Sequence, residues 1–270
     1  MPSFLAHRMS VRLAYQRRSL IWQFVKRDVQ SRYRESWLGV TWTFLTPLLM
    51  LGVYTFVFRD VFQSRWVGSN EGGIDFALRL YAGLVVFSFF SECISRAPTL
   101  IVEQPNLVKK VVFPLELLSW ISVCSALVHL GISASILVVA ALATDYVHAS
   151  AWLLPLVWLP LFPLVLGLSW FLSALGVYVR DISPLIGLVV SFMMFMSPVF
   201  YPLSALPDPW GSWMALNPLA TIIEGTRQVL LDGHLPEPEP LLAQFAAALV
   251  IAVLGHWWFS LTRRGFADVL

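Results

Sequence analysis

Charge is what this sequence has least of. Charged residues make up 13% of its 270 positions, about half the usual share of about 25% in a soluble domain. That is too little to cover a water-facing surface. Lysine is nearly absent, at Lys26, Lys109 and Lys110 alone, and none ends a GxxxxGK run, so the chain lacks the phosphate loop that would bind ATP. No GxSxG elbow and no HExxH occur, which argues against a membrane hydrolase. The two cysteines, Cys93 and Cys124, lie in apolar runs without CxxC or Cys/His spacing. They predict inert buried thiols rather than a disulfide framework or a zinc site. No signal peptide and no internal repeat is visible. A net charge of +2 gives no global basic field for nucleic acid.

Apolar residues are abundant, at 58%, and the mean hydropathy is +0.73. An all-α integral membrane protein of one transmembrane domain, residues 1–270, follows. The charge-free run 37–58 spans about 33 Å as a helix at about 1.5 Å per residue, matching a hydrocarbon core of about 30 Å. Further spans are expected at 80–100, 116–144, 155–179, 182–200 and 241–262, six in all. Pro155, Pro160 and Pro163 suit a first turn or a kink in the fourth. Before the first span, Ile21, Val25, Val29 and Tyr33 recur every four residues, with Gln23, Lys26, Arg27, Gln30 and Arg34 opposite. An amphipathic helix in the headgroup layer is expected over 1–36.

Cations are distributed unevenly. Fourteen of the 18 Lys and Arg lie in 1–36, the 95–114 loop, Arg180 and the tail pair Arg263 and Arg264. The opposite side holds only Arg59, Arg65, Arg79 and Arg227. The positive-inside rule puts both termini in the cytoplasm, which requires an even number of spans. The segment 201–240 then faces outward. Prolines break it repeatedly, yet its first half is apolar and aromatic. A re-entrant pair of half-helices fits, since irregular backbone at depth needs protein or a cavity around it. An interfacial loop with Trp210 and Trp213 among headgroups fits as well. The re-entrant hairpin is the expectation adopted.

Ionisable groups within the spans reduce to Glu92, His129 and His256. No carboxylate pair sits at mid-depth to serve proton- or sodium-coupled transport. His129 is expected to hydrogen-bond between helices, and His256, beside Trp257 and Trp258, to be interfacial. The chain holds 12 Trp, 7 Tyr and 19 Phe. Many fit belts at span ends, but Trp42, Tyr54, Phe87, Phe90, Phe192, Phe195 and Tyr201 do not. Singly, each is accounted for by packing or lipid contact. As a set, rings around a cavity would offer flat faces to the C–H surfaces of sugars. Between spans two and three, the compact loop Glu103–Lys110 mixes charge with apolar residues, which suits docking of a short helix into a soluble partner.

Four ordered motifs carry a family resemblance. Asp28-Val-Gln-Ser-Arg-Tyr-Arg-Glu-Ser-Trp-Leu-Gly39, leading to Thr46-Pro47-Leu48, is similar to the entry of the polysaccharide-export permeases of the ATP-binding-cassette type 2 class. Pro105-Asn-Leu-Val-Lys-Lys-Val-Val-Phe-Pro-Leu-Glu116 resembles their loop between spans two and three. Ser197-Pro-Val-Phe-Tyr-Pro202 and Leu216-Asn-Pro-Leu219, followed by Glu224 and Arg227, resemble their outward re-entrant region. Ser119 departs from the proline frequent in relatives. Permeases of lipopolysaccharide O-antigen exporters fit best.

The resemblance implies a homodimeric channel in the bacterial inner membrane, driven by two copies of a separate ATPase subunit. ATP and magnesium would bind that partner, with no cofactor and no catalysis on this chain. It implies an ATPase-coupling surface of Arg32, Arg34, Glu103, Asn106, Lys109, Lys110, Arg180 and Asp181. The aromatic residues named above would line the path of an undecaprenyl-linked polysaccharide. Alternatives are export of another lipid-linked glycan, teichoic acid, lipid or drug by the same fold. Outside transport, they are a membrane enzyme acting on lipid-linked sugars, with Asp208, Glu224 and Asp232 as scattered candidates, or a structural subunit.

Overall fold

The computed structural model describes residues 14–33, 41–61, 73–109, 113–207 and 209–270, and among them it is helical without strands. Helix α1 is Arg18–Tyr33. Val25 is buried, Leu20, Ile21, Phe24 and Val29 pack partly into the core, and Gln23, Lys26, Arg27 and Gln30 are exposed. The expected apolar stripe is therefore present, and it lies against a helix of the same chain, α5 (Glu116–Ala143).

Four helical stretches among the described residues are long and apolar enough to cross a membrane: Ile74–Thr99, Glu116–Ala143, Ala149–Tyr178 and Pro238–Val269. Two shorter apolar helices accompany them. These are α2, Trp42–Thr55, which contains Pro47 and runs on as a π-helical turn Phe56–Val61, and α8, Ile182–Met196. The six apolar segments expected from charge-free length thus divide into four long helices and two of 14 and 15 residues.

Helix α3, Gly73–Arg96, begins seven residues before the expected start at Leu80. The charges of its first turns are satisfied inside the fold, since Arg79 donates to Asp75 at 3.0 Å and to Asp232 at 2.7 Å. A 3₁₀ turn Ala97–Thr99 follows, then the short α4, Pro105–Lys109, and the long α5, Glu116–Ala143. The stretch expected as the fourth span lies within the single candidate span Ala149–Tyr178 and is interrupted at its prolines, where a first turn or kink was expected. Helix α6, Leu154–Trp158, stops before Pro160, and α7 runs Leu161–Tyr178. Pro155 and Pro163 sit in first turns, where a missing N–H costs nothing.

After α8 come α9, Trp210–Ala215, and α10, Ala220–Arg227, which continues as a π turn Gln228–Asp232. That turn ends at Gly233, whose φ of 72° is left-handed and favours glycine. Helix α11, Pro238–Thr262, leads through a 3₁₀ turn, Arg263–Gly265, to the last helix α12, Phe266–Val269.

The most extensive helix–helix packing is between α7 and α11. On α11, Ala248, Ala252, Gly255 and Phe259 form one buried face. A Cβ at Gly255 would lie 2.0 Å from the Gly167 carbonyl oxygen, and one at Gly167 2.6 Å from the backbone of Ala252. Small residues let the two backbones touch, as helices in lipid use them. Trp170, fully buried on α7, donates its indole N–H to the Glu116 carbonyl at 3.1 Å. Its ring stands edge-on to His256 at 4.8 Å. His256 is therefore a core residue and not the interfacial one that its tryptophan neighbours suggested.

Candidate functional site

A cavity of about 480 Å³ opens between α2, α3 and α5, with Met194 of α8 at its edge. Trp42, Pro47 and Tyr54 of α2 form one wall, and Tyr81, Phe87 and Ser88 of α3 another. Tyr81, Leu84, Val85, Ser88, Ser91 and Glu92 recur at three- and four-residue intervals, so one face of α3 lines it. Hydroxyls of Thr46, Ser91 and Ser133 add polar points to this aromatic lining. The combination suits a neutral, hydroxyl-rich ligand: aromatic faces for apolar C–H surfaces, and hydroxyls that both donate and accept.

One end of the cavity is charged. Arg32 reaches in from α1 and pairs with Glu92, whose carboxylate also lies 3.0 Å from His129 Nδ1 on α5. Arg32 Nη1 stands 3.1 Å from the same His129 nitrogen. The network extends outward through Asp28, which accepts from Arg32 Nη2 at 3.3 Å and from both terminal nitrogens of Arg96, at 2.8 and 3.1 Å. Burial pushes the Asp28 carboxyl up, but the hydrogen bonds and charge of Arg96, with the charge of Arg32, outweigh it and hold the group below its ordinary value. Three elements, α1, α3 and α5, are thereby tied at one level. His129 does bridge helices, as expected, but through an ion cluster that sequence reading passed over.

Of the expected path-lining residues, the structure brings Trp42, Tyr54 and Phe87 to this cavity. Phe90 is buried beside Phe87, with ring centroids 6.2 Å apart. Phe192 and Phe195 lie on an exposed face of α8. Tyr201 donates its hydroxyl to the Phe195 carbonyl at 2.6 Å, outside the cavity lining. Thr46, Tyr81, Ser88, Ser91 and Ser133 were missed. The i, i+3, i+4 spacing along α3 was the signal available for three of them.

The motifs Ser197–Pro202 and Leu216–Leu219 are clasped to one another. Asn217 Nδ2 donates to the Met196 carbonyl and to Ser197 Oγ, both at 2.9 Å, while its Oδ1 accepts from Leu219 N at 2.9 Å. Arg227, fully buried, donates to the carbonyls of Pro198, Val199 and Arg79 at 2.7, 2.8 and 2.9 Å and to Glu224 at 3.2 Å. Glu224 is thus an ion-pair partner, and Asp232 is held by Arg79. Asp208 lies outside the described residues. Gly83 makes room here, since a Cβ would come 2.9 Å from Arg227 Nη2.

On the far side, Glu103, Asn106 and Lys109 are exposed on and before α4, as are Arg180 and Asp181 in the turn between α7 and α8. Arg32 is not among them, because its guanidinium faces the cavity. Arg34 and Lys110 lie outside the described residues. Among the described residues, no group of His, Cys, Asp and Glu could hold a metal ion.

Residues 19–231 match the ABC-2 type transporter family. The chain is 30% identical over 263 residues to the O-antigen export system permease protein RfbA of Myxococcus xanthus, covering 96% of this chain and 98% of that one. It is 23% identical to a Klebsiella pneumoniae protein of the same name, over 90% and 92% of the two chains. It is 22% identical to the polysialic acid transport protein KpsM of Escherichia coli, over 78% and 81%. With several apolar helices and a match across most of its length, the chain is a multi-pass membrane permease of the ABC-2 type transporter family.

Proposed function

We propose that this chain is the channel subunit of an ATP-driven exporter that moves a lipid-linked polysaccharide of the O-antigen kind out of the cytoplasm. The observation that carries the reading is the cavity between α2, α3 and α5, with its aromatic and hydroxyl lining. The relatives, O-antigen export permeases and a polysialic acid transport protein, supply the substrate class. In this reading the two shorter helices α2 and α8 also span the inner membrane, giving six crossings with both termini cytoplasmic. Helices α9 and α10 form an outward re-entrant hairpin. Two copies enclose the path, and two ATPase subunits, holding ATP and magnesium, drive it. An undecaprenyl carrier links the glycan to the membrane. ATP binding at the partner shifts the population between closed and open channel.

The exposed residues Glu103, Asn106, Lys109, Arg180 and Asp181 serve as the docking surface for the ATPase, and Arg32 belongs with the cavity. The test is genetic and chemical. Cells deprived of this permease should lose the polymer from their surface and accumulate it inside, still lipid-linked, and the wild-type chain should restore export. Unchanged surface polymer would overturn the reading.

A further inference from the structure

The last helix joins two regions that lie far apart in sequence. Phe266 is completely buried. Its ring stands edge-on to Phe259 at 5.6 Å and tilted against Tyr178 at 6.0 Å. Tyr178 is the final residue of α7, two positions before Arg180. Its hydroxyl donates to the Thr262 carbonyl at 2.7 Å, and Gly265 approaches that hydroxyl so closely that a Cβ there would lie 2.5 Å away. Arg263 pairs with Glu116 at the start of α5. Helix α12 then lies directly against α4, whose Leu107 and Val108 are half-buried against the core.

We propose that Phe266 is a positioning residue for energy coupling: by packing the last helix between the end of α7 and α4, it fixes α4 and the Arg180–Asp181 turn as one rigid surface for the ATPase. This rests on the reading of those two elements as the docking surface. A helix of five residues, Pro105–Lys109, is too short to hold its own conformation in water, so its direction depends on what packs behind it. An ATPase movement reaches the membrane helices only if that backing is stiff. The ring of Phe266 provides it without itself touching the partner.

The experiment uses the permease with its ATPase in lipid nanodiscs and reads permease-dependent ATP hydrolysis beside thermal unfolding. Phe266→Ala should lower coupled hydrolysis fivefold or more, and Phe266→Leu should keep at least half of it. Gly265→Ala, whose methyl group would lie 2.5 Å from the Tyr178 hydroxyl so that the ring or the last helix must shift, should also uncouple. Adding Tyr178→Phe removes that oxygen and should bring Gly265→Ala back to the level of Tyr178→Phe alone. This pair decides the matter where Phe266→Ala does not insert.

Glu103→Ala with Asn106→Ala separates the two levels. Normal hydrolysis in that double variant overturns the docking surface. Loss of coupling there, with folded Phe266→Ala or Gly265→Ala hydrolysing like wild type, overturns the positioning role alone.

Discussion

Asp28 and Arg96, sixty-eight positions apart, meet side by side: both carboxylate oxygens accept from the two terminal nitrogens of the guanidinium, at 2.8 and 3.1 Å. The paired geometry is the strong form of an ion pair. It fastens α1 to the end of α3, where a basic helix bound only to headgroups would be free to tilt. Asp28→Asn keeps the shape and leaves Arg96 facing a neutral amide. The substitution should destabilise the protein by about 1.5–3 kcal/mol, the range for hydrogen bonds to charged groups. Thermal unfolding in detergent micelles checks it; an unchanged midpoint counts against a fastening role.

Acid should act through the same residue. The Asp28 carboxyl is held below its ordinary value of 3.8. A depressed folded-state pKa means that its contribution is complete above the unfolded value and disappears as pH falls through the folded one. Wild-type protein should therefore lose stability as pH falls below about 3.8, and Asp28→Asn should lose less over the same interval. Parallel unfolding curves for the two proteins at pH 7 and pH 3 give the comparison.

The close approach of α7 and α11 makes a third prediction. Gly255→Ala puts a methyl group 2.0 Å from a backbone oxygen of Gly167, and no side chain there can rotate away. The helices must separate, so the variant should insert poorly or unfold at markedly lower temperature. Gly131→Ala on α5, with nothing within 4 Å of the added methyl, is the control and should lie within about 1 kcal/mol of wild type. Equal behaviour of the two variants would contradict the packing.

Arg227 ties α10 to α3 and to the segment that follows α8. Arg227→Ala leaves the carbonyls of Pro198, Val199 and Arg79 without this donor, and Glu224 without its charge partner. Removing one member of a buried pair costs about 3–5 kcal/mol. Arg227→Lys supplies one compact ammonium instead of a planar fork, so it should recover only part of the loss. Limited chymotryptic cleavage after Trp210 or Trp213 should rise in both variants, more in the alanine one.

What the sequence disclosed and what it hid follow one rule. Lengths of apolar run and the spacing of Ile21, Val25 and Val29 are properties of the chain itself, and the helices and the buried face of α1 could be read from them. The start of α3 could not, because Arg79 and Asp75 look like charges outside a span until Asp232, 153 positions later, is seen to pair with Arg79. The resemblance put Arg32 on the ATPase-coupling surface until Glu92 was placed beside it. His256 beside two tryptophans resembled a belt residue until Trp170 was found against its ring. Each of these depends on a partner from a distant helix, and one-dimensional spacing carries no information about which helices meet. Trp42, Tyr54 and Phe87 of the expected lining reached the cavity because their helices border it; Phe192 and Phe195 did not, because rotation of α8 turns them outward.

That rotation separates the aromatic residues experimentally. Trp42 and Tyr54 line the cavity, while Phe192 and Phe195 are more than 60% exposed on the opposite face of α8. An aromatic contact contributes about 0.5–1.5 kcal/mol beyond its buried area, a factor of about 2–10 in rate or affinity. Trp42→Ala and Tyr54→Ala should therefore slow export by that factor with normal insertion, and Trp42→Phe should retain most of the activity. Phe192→Ala should stay within about twofold, because loss of a ring outside the cavity removes no contact to its contents. The readout is surface polymer per inserted permease. A defect at Phe192 as large as that at Trp42 would mean that the path is completed across two copies, with α8 of each facing the polymer, and the cavity within one chain would then be only its side wall.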